Sequence, residues 1–136
     1  MTPVRVLFAC VHNAGRSQMA AAFFAALADP ARARGESAGT EPAERVHPEV
    51  VAAMREVGID LSGRRPRLLD DELQRATDLL VTMGCGDRCP LVPAQRRVDW
   101  ALPDPKGQPP ERVREIREEI RARVTALVRE RGWQLG

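Results

Sequence analysis

Residues 6–20, VLFACVHNAGRSQMA, constrain the fold of this chain more than any other stretch of its sequence. An apolar run over residues 4–9 stops at Cys10, and an alanine-rich helical pattern occupies residues 18–28. A short apolar run that ends in a loop is typical of a buried strand in a parallel sheet. The stretch therefore predicts a strand that passes through a tight loop into a helix, with Ser17 as its cap and Met19, Phe23 and Phe24 on one side.

The remaining hydrophobic pattern alternates between strand-like and helix-like segments. Further strands are expected at residues 36–38, 78–83 and 98–100, and further helices at residues 48–57, 70–76 and 113–128. Strands that alternate with helices form parallel sheets covered on both faces. We therefore predict a three-layer α/β fold, a four-stranded and mainly parallel sheet flanked by helices, as a single domain over residues 1–136.

Charge and hydropathy exclude several classes of partner. The chain carries 21 basic and 19 acidic residues, a net charge of +2, so no charge excess favours nucleic acid. The apolar run over residues 4–9 is too short for a signal sequence, and no window approaches the length of a membrane span. We expect a cytoplasmic monomer without membrane contact, in which Cys10, Cys85 and Cys89 stay reduced rather than forming structural disulfides.

The loop after Cys10 has the composition of an oxyanion site. A loop from a strand into a helix turns several backbone N–H groups towards one point, and Gly15 permits the turn. Arg16 adds a planar guanidinium that matches two oxygens of a tetrahedral anion. The same groups, with the Ser17 hydroxyl, favour a Cys10 thiolate over the thiol. The alternative interpretation is that Cys10 is a small buried apolar residue at a strand end.

Two other chemically versatile residues follow predicted strands, and parallel strands place their carboxyl ends at one edge of a sheet. Cys85 follows the strand at 78–83, and Asp104 follows the strand at 98–100. A protonated carboxyl at this edge can supply a proton to an oxygen that leaves phosphorus or arsenic. The alternative for Asp104 is a turn residue between two prolines.

The segment CVHNAGRS, residues 10–17, resembles the Cys-x5-Arg-Ser signature of the low-molecular-weight tyrosine phosphatase family, and its continuation QMA resembles the thioredoxin-coupled arsenate reductase branch. The resemblance extends through SAGTEP, VGIDLS, TMGCGDRCP and DWALPDPKG. It implies the low-molecular-weight phosphatase-like fold. It also implies that Cys10 is the nucleophile, that Asp104 is the general acid, and that substrate binds to Val11, His12, Asn13, Ala14, Gly15, Arg16 and Ser17. Within that loop, Asn13 would maintain the shape by hydrogen bonds, Arg16 would bind the oxyanion and Ser17 would favour the thiolate.

The resemblance also implies a relay of three thiols that reduces arsenate to arsenite. Cys10 attacks arsenate, Cys85 attacks the Cys10 sulfur and expels arsenite, and Cys89 then takes over the disulfide. The implied partners are arsenate and thioredoxin, the external reductant, with no tightly bound cofactor. Mycothiol and glutaredoxin remain alternatives, because the two resolving cysteines are often more widely spaced in thioredoxin-linked relatives.

Other functions remain open. A phosphatase acting on a small phosphomonoester would use Cys10 and keep Cys85 and Cys89 as a redox guard, and a non-catalytic oxyanion or arsenical sensor would not need Asp104. The chain contains no tyrosine, so the aromatic pocket of phosphotyrosine phosphatases is missing. Zinc at the cysteine pair is disfavoured because His12 and His47 are the only histidines and zinc takes four ligands. Inert packing is disfavoured because Gly, Asp and Arg flank the pair.

Overall fold

The structure is a computed structural model that describes residues 2–84 and 96–135 of the 136-residue chain. It contains strands β1 (Val4–Cys10), β2 (Ala33–Gly39), β3 (Leu79–Thr82) and β4 (Arg96–Asp99), and helices α1 (Arg16–Leu27), α2 (Pro48–Arg55), α3 (Asp71–Arg75) and α4 (Pro110–Glu130). Cys85 and Cys89 lie outside the described residues. No helix in the described parts of the chain is both long and apolar enough to cross a membrane.

The four strands form one sheet in the order β2-β1-β3-β4, and every neighbouring pair is parallel. β1 lies inside the sheet and is buried from Val6 to Cys10. The apolar sequence of this buried part, residues 6–10, suits a strand covered on both faces. The predicted parallel α/β sheet is confirmed.

Side chains that alternate along β1 face two separate layers of helices. Val6 and Phe8 join the larger core with residues of α1, α2 and α4, while Leu7 and Ala9 join a smaller core with Leu73 of α3. The alternation follows from the two-residue period of a strand. Helices therefore cover both faces of the sheet, as the three-layer prediction requires.

Helix α1 differs from its prediction in two respects. It is buried on all sides over residues 17–24, rather than on one side, because it contacts β1, β2 and α4 together. Its N-cap residue is Gly15, which has no side chain that could cap the helix. The prediction that Ser17 caps the helix is wrong: Ser17 lies inside the first turn, and its side chain binds loop residues.

Two strands have bounds that hydrophobicity did not indicate. β2 spans seven residues, Ala33–Gly39, rather than three, and β4 ends at Asp99 before Trp100. β2 is an edge strand with partly exposed polar side chains. Its backbone pairs with β1, and this pairing does not require apolar side chains, so the sequence shows little strand pattern there.

The sheet topology determines where a ligand can bind. The chain leaves β1 for β2 on one side, and later returns to β3 on the other side of β1. Connections that diverge in this way open a crevice at the carboxyl ends of the strands. Cys10, the last residue of β1, lies at that crevice.

Candidate active site

The loop between β1 and α1 is held by the segment that follows β2. Four backbone hydrogen bonds join them: Thr40 N to Cys10 O (3.3 Å), Glu41 N to Val11 O (2.8 Å), Ala43 N to His12 O (3.0 Å) and His47 N to Ala14 O (2.9 Å). In a trans peptide the N–H points away from the preceding carbonyl. The N–H groups that follow these carbonyls therefore point away from the 40–47 segment, and those of residues 11–15 donate to no residue in the described ranges. Such unpaired donors, next to a helix start, attract an anion.

A buried chain of hydrogen bonds connects Asn13 to the thiol. Asn13 has a φ of +49°, a left-handed conformation that asparagine tolerates better than most residues. Its Nδ2 donates to Ser17 Oγ at 2.7 Å, and Ser17 Oγ lies 2.9 Å from Cys10 Sγ. Cys10 itself is 3% exposed. A hydroxyl at this distance stabilises a thiolate by donating its hydrogen to the sulfur.

The Arg16 side chain lies between the loop and the segment that carries Asp104. Its Nη1 donates to the Leu102 carbonyl at 3.0 Å, and its Nη2 lies 3.8 Å from Asp104 Oδ2. Gly84, at the end of β3, has a φ of +92°, and a Cβ there would collide with the guanidinium. The guanidinium is thus enclosed on two sides, with 11% of the side chain exposed.

The Asp104 segment rests directly on the loop. Pro105 packs on Gly15 so closely that a Cβ on Gly15 would lie 2.9 Å from Pro105 Cγ. The Asp104 carboxylate is exposed and accepts a hydrogen bond from the Lys106 N–H at 3.0 Å. A carboxyl group from the far part of the sequence therefore lies beside the loop that follows Cys10.

His47 adds a titratable group that the sequence analysis did not place at the site. Its ring packs near Gly15, and burial lowers its pKa below the usual 6.5. Charges on Glu49 and Asp104 partly offset this effect, while those on Lys106 and His12 add to it. The sequence showed His47 only as a residue before a helix, and nothing in its spacing from Cys10 indicates the contact.

The described residues predicted for the site come together at one edge of the sheet. Cys10, residues 11–17 and Asp104 are joined through the Cys10–Ser17 and Arg16–Asp104 contacts, and the His12 ring nitrogen Nδ1 lies 3.0 Å from Glu41 O. Cys85 and Cys89 lie outside the described residues. Over residues 2–84 and 96–135, no three His, Cys, Asp or Glu side chains gather closely enough to hold a metal ion.

The arrangement suits nucleophilic attack on a tetrahedral oxyanion. In such a reaction the loop N–H groups and Arg16 could bind the anion, Cys10 could act as the nucleophile, and the carboxyl of Asp104, when protonated, could give a proton to a departing oxygen.

Comparison with known proteins gives consistent matches over nearly the whole chain. The family described as low molecular weight phosphotyrosine protein phosphatase matches residues 5–133. A putative arsenate reductase of Halobacterium salinarum is 44% identical over 128 residues, covering 88% of this chain and 87% of that protein. A glutaredoxin arsenate reductase of Synechocystis is 35% identical over 127 residues, covering 91% and 95%.

The fold also matches solved structures. A thioredoxin-dependent arsenate reductase of Corynebacterium glutamicum has a TM-score of 0.81 and 42% identity to this chain. The match covers 95% of this chain and 62% of that one, so this chain spans less than two thirds of the length of that relative.

Proposed function

Because the chain belongs to the low molecular weight phosphotyrosine protein phosphatase family, we propose that it reduces arsenate to arsenite with Cys10 as the nucleophile. The observation that carries the proposal is the loop after β1: its N–H groups donate to no described residue, Arg16 follows it, and the Ser17 hydroxyl lies 2.9 Å from Cys10 Sγ. Relatives named arsenate reductases support the choice of substrate. The absence of tyrosine from the sequence supports a small inorganic anion rather than phosphotyrosine.

In the first step, the Cys10 thiolate forms a bond to arsenic and one arsenate oxygen leaves as water. Arg16 and the loop N–H groups bind the remaining oxygens, and Asp104, which must be protonated for this step, supplies a proton to the departing one and becomes a carboxylate. Arsenic stays in its oxidised state at this point. The 3.8 Å separation of Arg16 and Asp104 supports this division of roles.

The electrons for reduction come from the other two cysteines. The Cys85 thiolate attacks the Cys10 sulfur, the sulfur–arsenic electron pair stays on arsenic, and arsenite leaves. Cys89 then attacks Cys85, which releases Cys10 as a thiolate and leaves a Cys85–Cys89 disulfide. Gly84 lies against the Arg16 guanidinium and directly precedes Cys85 in the sequence. This contact supports Cys85 as the residue that attacks Cys10.

An external dithiol then reduces that disulfide. We take thioredoxin as this partner, since a similar structure is a thioredoxin-dependent enzyme. A similar curated protein is a glutaredoxin arsenate reductase, so glutaredoxin is the competitor to test. We place this enzyme in the cytoplasm, because the relay needs a reducing compartment. We further propose that it acts as a monomer of one domain without a tightly bound cofactor.

Arsenate-dependent NADPH consumption with thioredoxin and its reductase tests the proposal, with phosphate release from a chromogenic ester measured in parallel. We expect arsenate turnover to disappear in Cys10→Ser. The Cys85→Ser, Cys89→Ser double variant should lose turnover with thioredoxin while Cys10 keeps its reactivity. Full turnover in the double variant would refute the relay, and ester hydrolysis without any arsenate turnover in the unmodified chain would refute the function.

A further inference from the structure

Gln18, in the first turn of α1, is a buried polar residue with only 2% of its surface exposed. Its Nε2 faces three carbonyl oxygens: Asn13 O at 3.1 Å, Asn13 Oδ1 at 3.2 Å and Arg65 O at 3.5 Å. A carbonyl oxygen only accepts hydrogen bonds, so the NH2 end of the amide must occupy this position.

The other end of the Gln18 amide shows why packing alone does not explain the residue. Its Oε1 is buried and has no hydrogen-bond partner among the described residues. An apolar side chain of similar length, such as methionine, would fill the same space without leaving a buried oxygen unpaired. The NH2 group is therefore what distinguishes glutamine at this position.

The contacts of Gln18 determine how the Asn13 amide is oriented. Asn13 Oδ1 also accepts a hydrogen bond from the backbone N–H of Arg67 at 2.9 Å. A backbone N–H only donates, so Oδ1 must face Arg67 and Gln18, and Nδ2 must face Ser17. Nδ2 in turn only donates, so Ser17 Oγ accepts this bond.

The Ser17 hydroxyl is left with one direction in which to donate. Its hydrogen is free of Asn13, and Cys10 Sγ lies 2.9 Å away. If the Asn13 amide were reversed, its oxygen would take the hydroxyl hydrogen and the sulfur would lose its donor. We propose that Gln18 is a positioning residue that orients the Asn13 amide and thereby makes Ser17 a hydrogen-bond donor to the Cys10 thiolate. The proposal rests on the role of Cys10 as nucleophile and adds a group two hydrogen bonds beyond Ser17.

The test follows the reactivity of Cys10 with iodoacetamide as a function of pH. The parent is the Cys85→Ser, Cys89→Ser variant, in which Cys10 is the single remaining thiol of the three. Adding Gln18→Met should move the alkylation profile to higher pH and slow the reaction at neutral pH roughly twofold to tenfold, the range of one neutral hydrogen bond. Gln18→Leu also removes the NH2 group that faces Asn13 and should act in the same direction, which keeps the test usable if Gln18→Met fails to fold.

A double-mutant comparison separates positioning from a general loss of packing. Since Gln18 acts through Ser17, adding Gln18→Met to Ser17→Ala should slow alkylation no further than Ser17→Ala does alone. Gln74→Met is the matched control, because Gln74 is equally buried, at 3% exposure, but lies on α3. It should leave the profile of the parent unchanged.

Two results would overturn the proposal: an unchanged profile in a folded Gln18→Met or Gln18→Leu variant, or effects of the Gln18 substitution and Ser17→Ala that add in full. The assay contains no arsenate and no reductant. A chain that shows the expected profile but does not reduce arsenate would therefore refute the proposed function alone.

Discussion

Gly15 determines how closely the Asp104 segment approaches the loop. A methyl group there would lie 2.9 Å from Pro105 Cγ and 3.5 Å from the His47 ring, so Pro105 would have to move. Displacing a proton donor by about 1 Å can cost up to about a hundredfold in rate. We expect Gly15→Ala to lower kcat for arsenate by about tenfold to a hundredfold, measured in the coupled thioredoxin assay.

Gly63→Ala is the matched control for that substitution. A Cβ at Gly63 has no atom within 4 Å, so the added methyl group meets only open space. Its turnover should equal that of the unmodified chain. Equal turnover in Gly15→Ala would mean that the contact with Pro105 does not position Asp104.

His47 reports on the charges around the loop. Burial lowers its pKa below 6.5, while Glu49 and Asp104 act in the opposite direction. NMR titration of the ring should therefore give a midpoint below 6.5. Asp104→Asn should lower that midpoint further because it removes a negative charge, and Lys106→Met should raise it because it removes a positive one. A midpoint that changes with neither substitution would contradict the proximity of Asp104 and Lys106 to the His47 ring.

At the scale of elements, an ion-pair cluster joins α2 to α4. Glu56, next to the end of α2, binds Arg114 Nη2 at 2.7 Å and Arg117 Nη1 at 2.8 Å, and Arg117 also donates to the Ala53 carbonyl. Hydrogen bonds from Arg114 and then Arg117 lower the pKa of Glu56 from its usual 4.5 to about 2. The carboxylate form is therefore favoured in the folded chain.

This depressed pKa makes the contribution of Glu56 to stability dependent on pH. The stabilisation is fully present above 4.5 and is lost as pH falls towards about 2, because the unfolded chain takes up the proton first. Glu56→Gln should lower Tm at neutral pH, and the difference from the unmodified chain should shrink as pH falls below 4.5. Thermal unfolding followed by circular dichroism measures both effects.

Glu119→Gln offers a comparison within α4 itself. Glu119 pairs with Arg123 one helical turn away, at 3.3 Å, and this ion pair lies within α4. Exposed pairs of this kind contribute little to stability. If Glu119→Gln lowers Tm as much as Glu56→Gln does, the α2–α4 connection has no special role.

The bounds and burial of some elements could be predicted from hydrophobicity, and those of others could not. β1 was predicted almost to its bounds, because a strand covered on both faces must be apolar throughout. β2 was predicted too short, because an edge strand is held by backbone hydrogen bonds that leave no signature in the side chains. The burial of α1 on all sides was missed, because alanine satisfies an exposed helix as well as a buried one.

At the scale of the whole molecule, one edge of the sheet gathers residues that are far apart in the sequence. Cys10 ends β1, while Gly84 and Asp104 follow β3 and β4, and Arg16, the first residue of α1, contacts both Gly84 and Asp104. The rule that reactive groups collect at the carboxyl ends of parallel strands predicted that Cys10, Cys85 and Asp104 lie at this edge, and Cys85 lies outside the described residues. The contacts of His47 and Gln18 depend on loops, for which no comparable rule exists.

The parallel α/β fold and the loop that follows Cys10 could be predicted from local patterns, because hydrophobic period and glycine placement act along the chain. The partners of each side chain near that loop depend instead on how distant segments pack. The sequence predicts Ser17 as a helix cap, but in the fold its side chain binds Asn13 and lies beside Cys10. The orientation of the Asn13 amide depends on a backbone N–H 54 residues away, and no local pattern can encode a hydrogen bond that forms only when distant segments pack together.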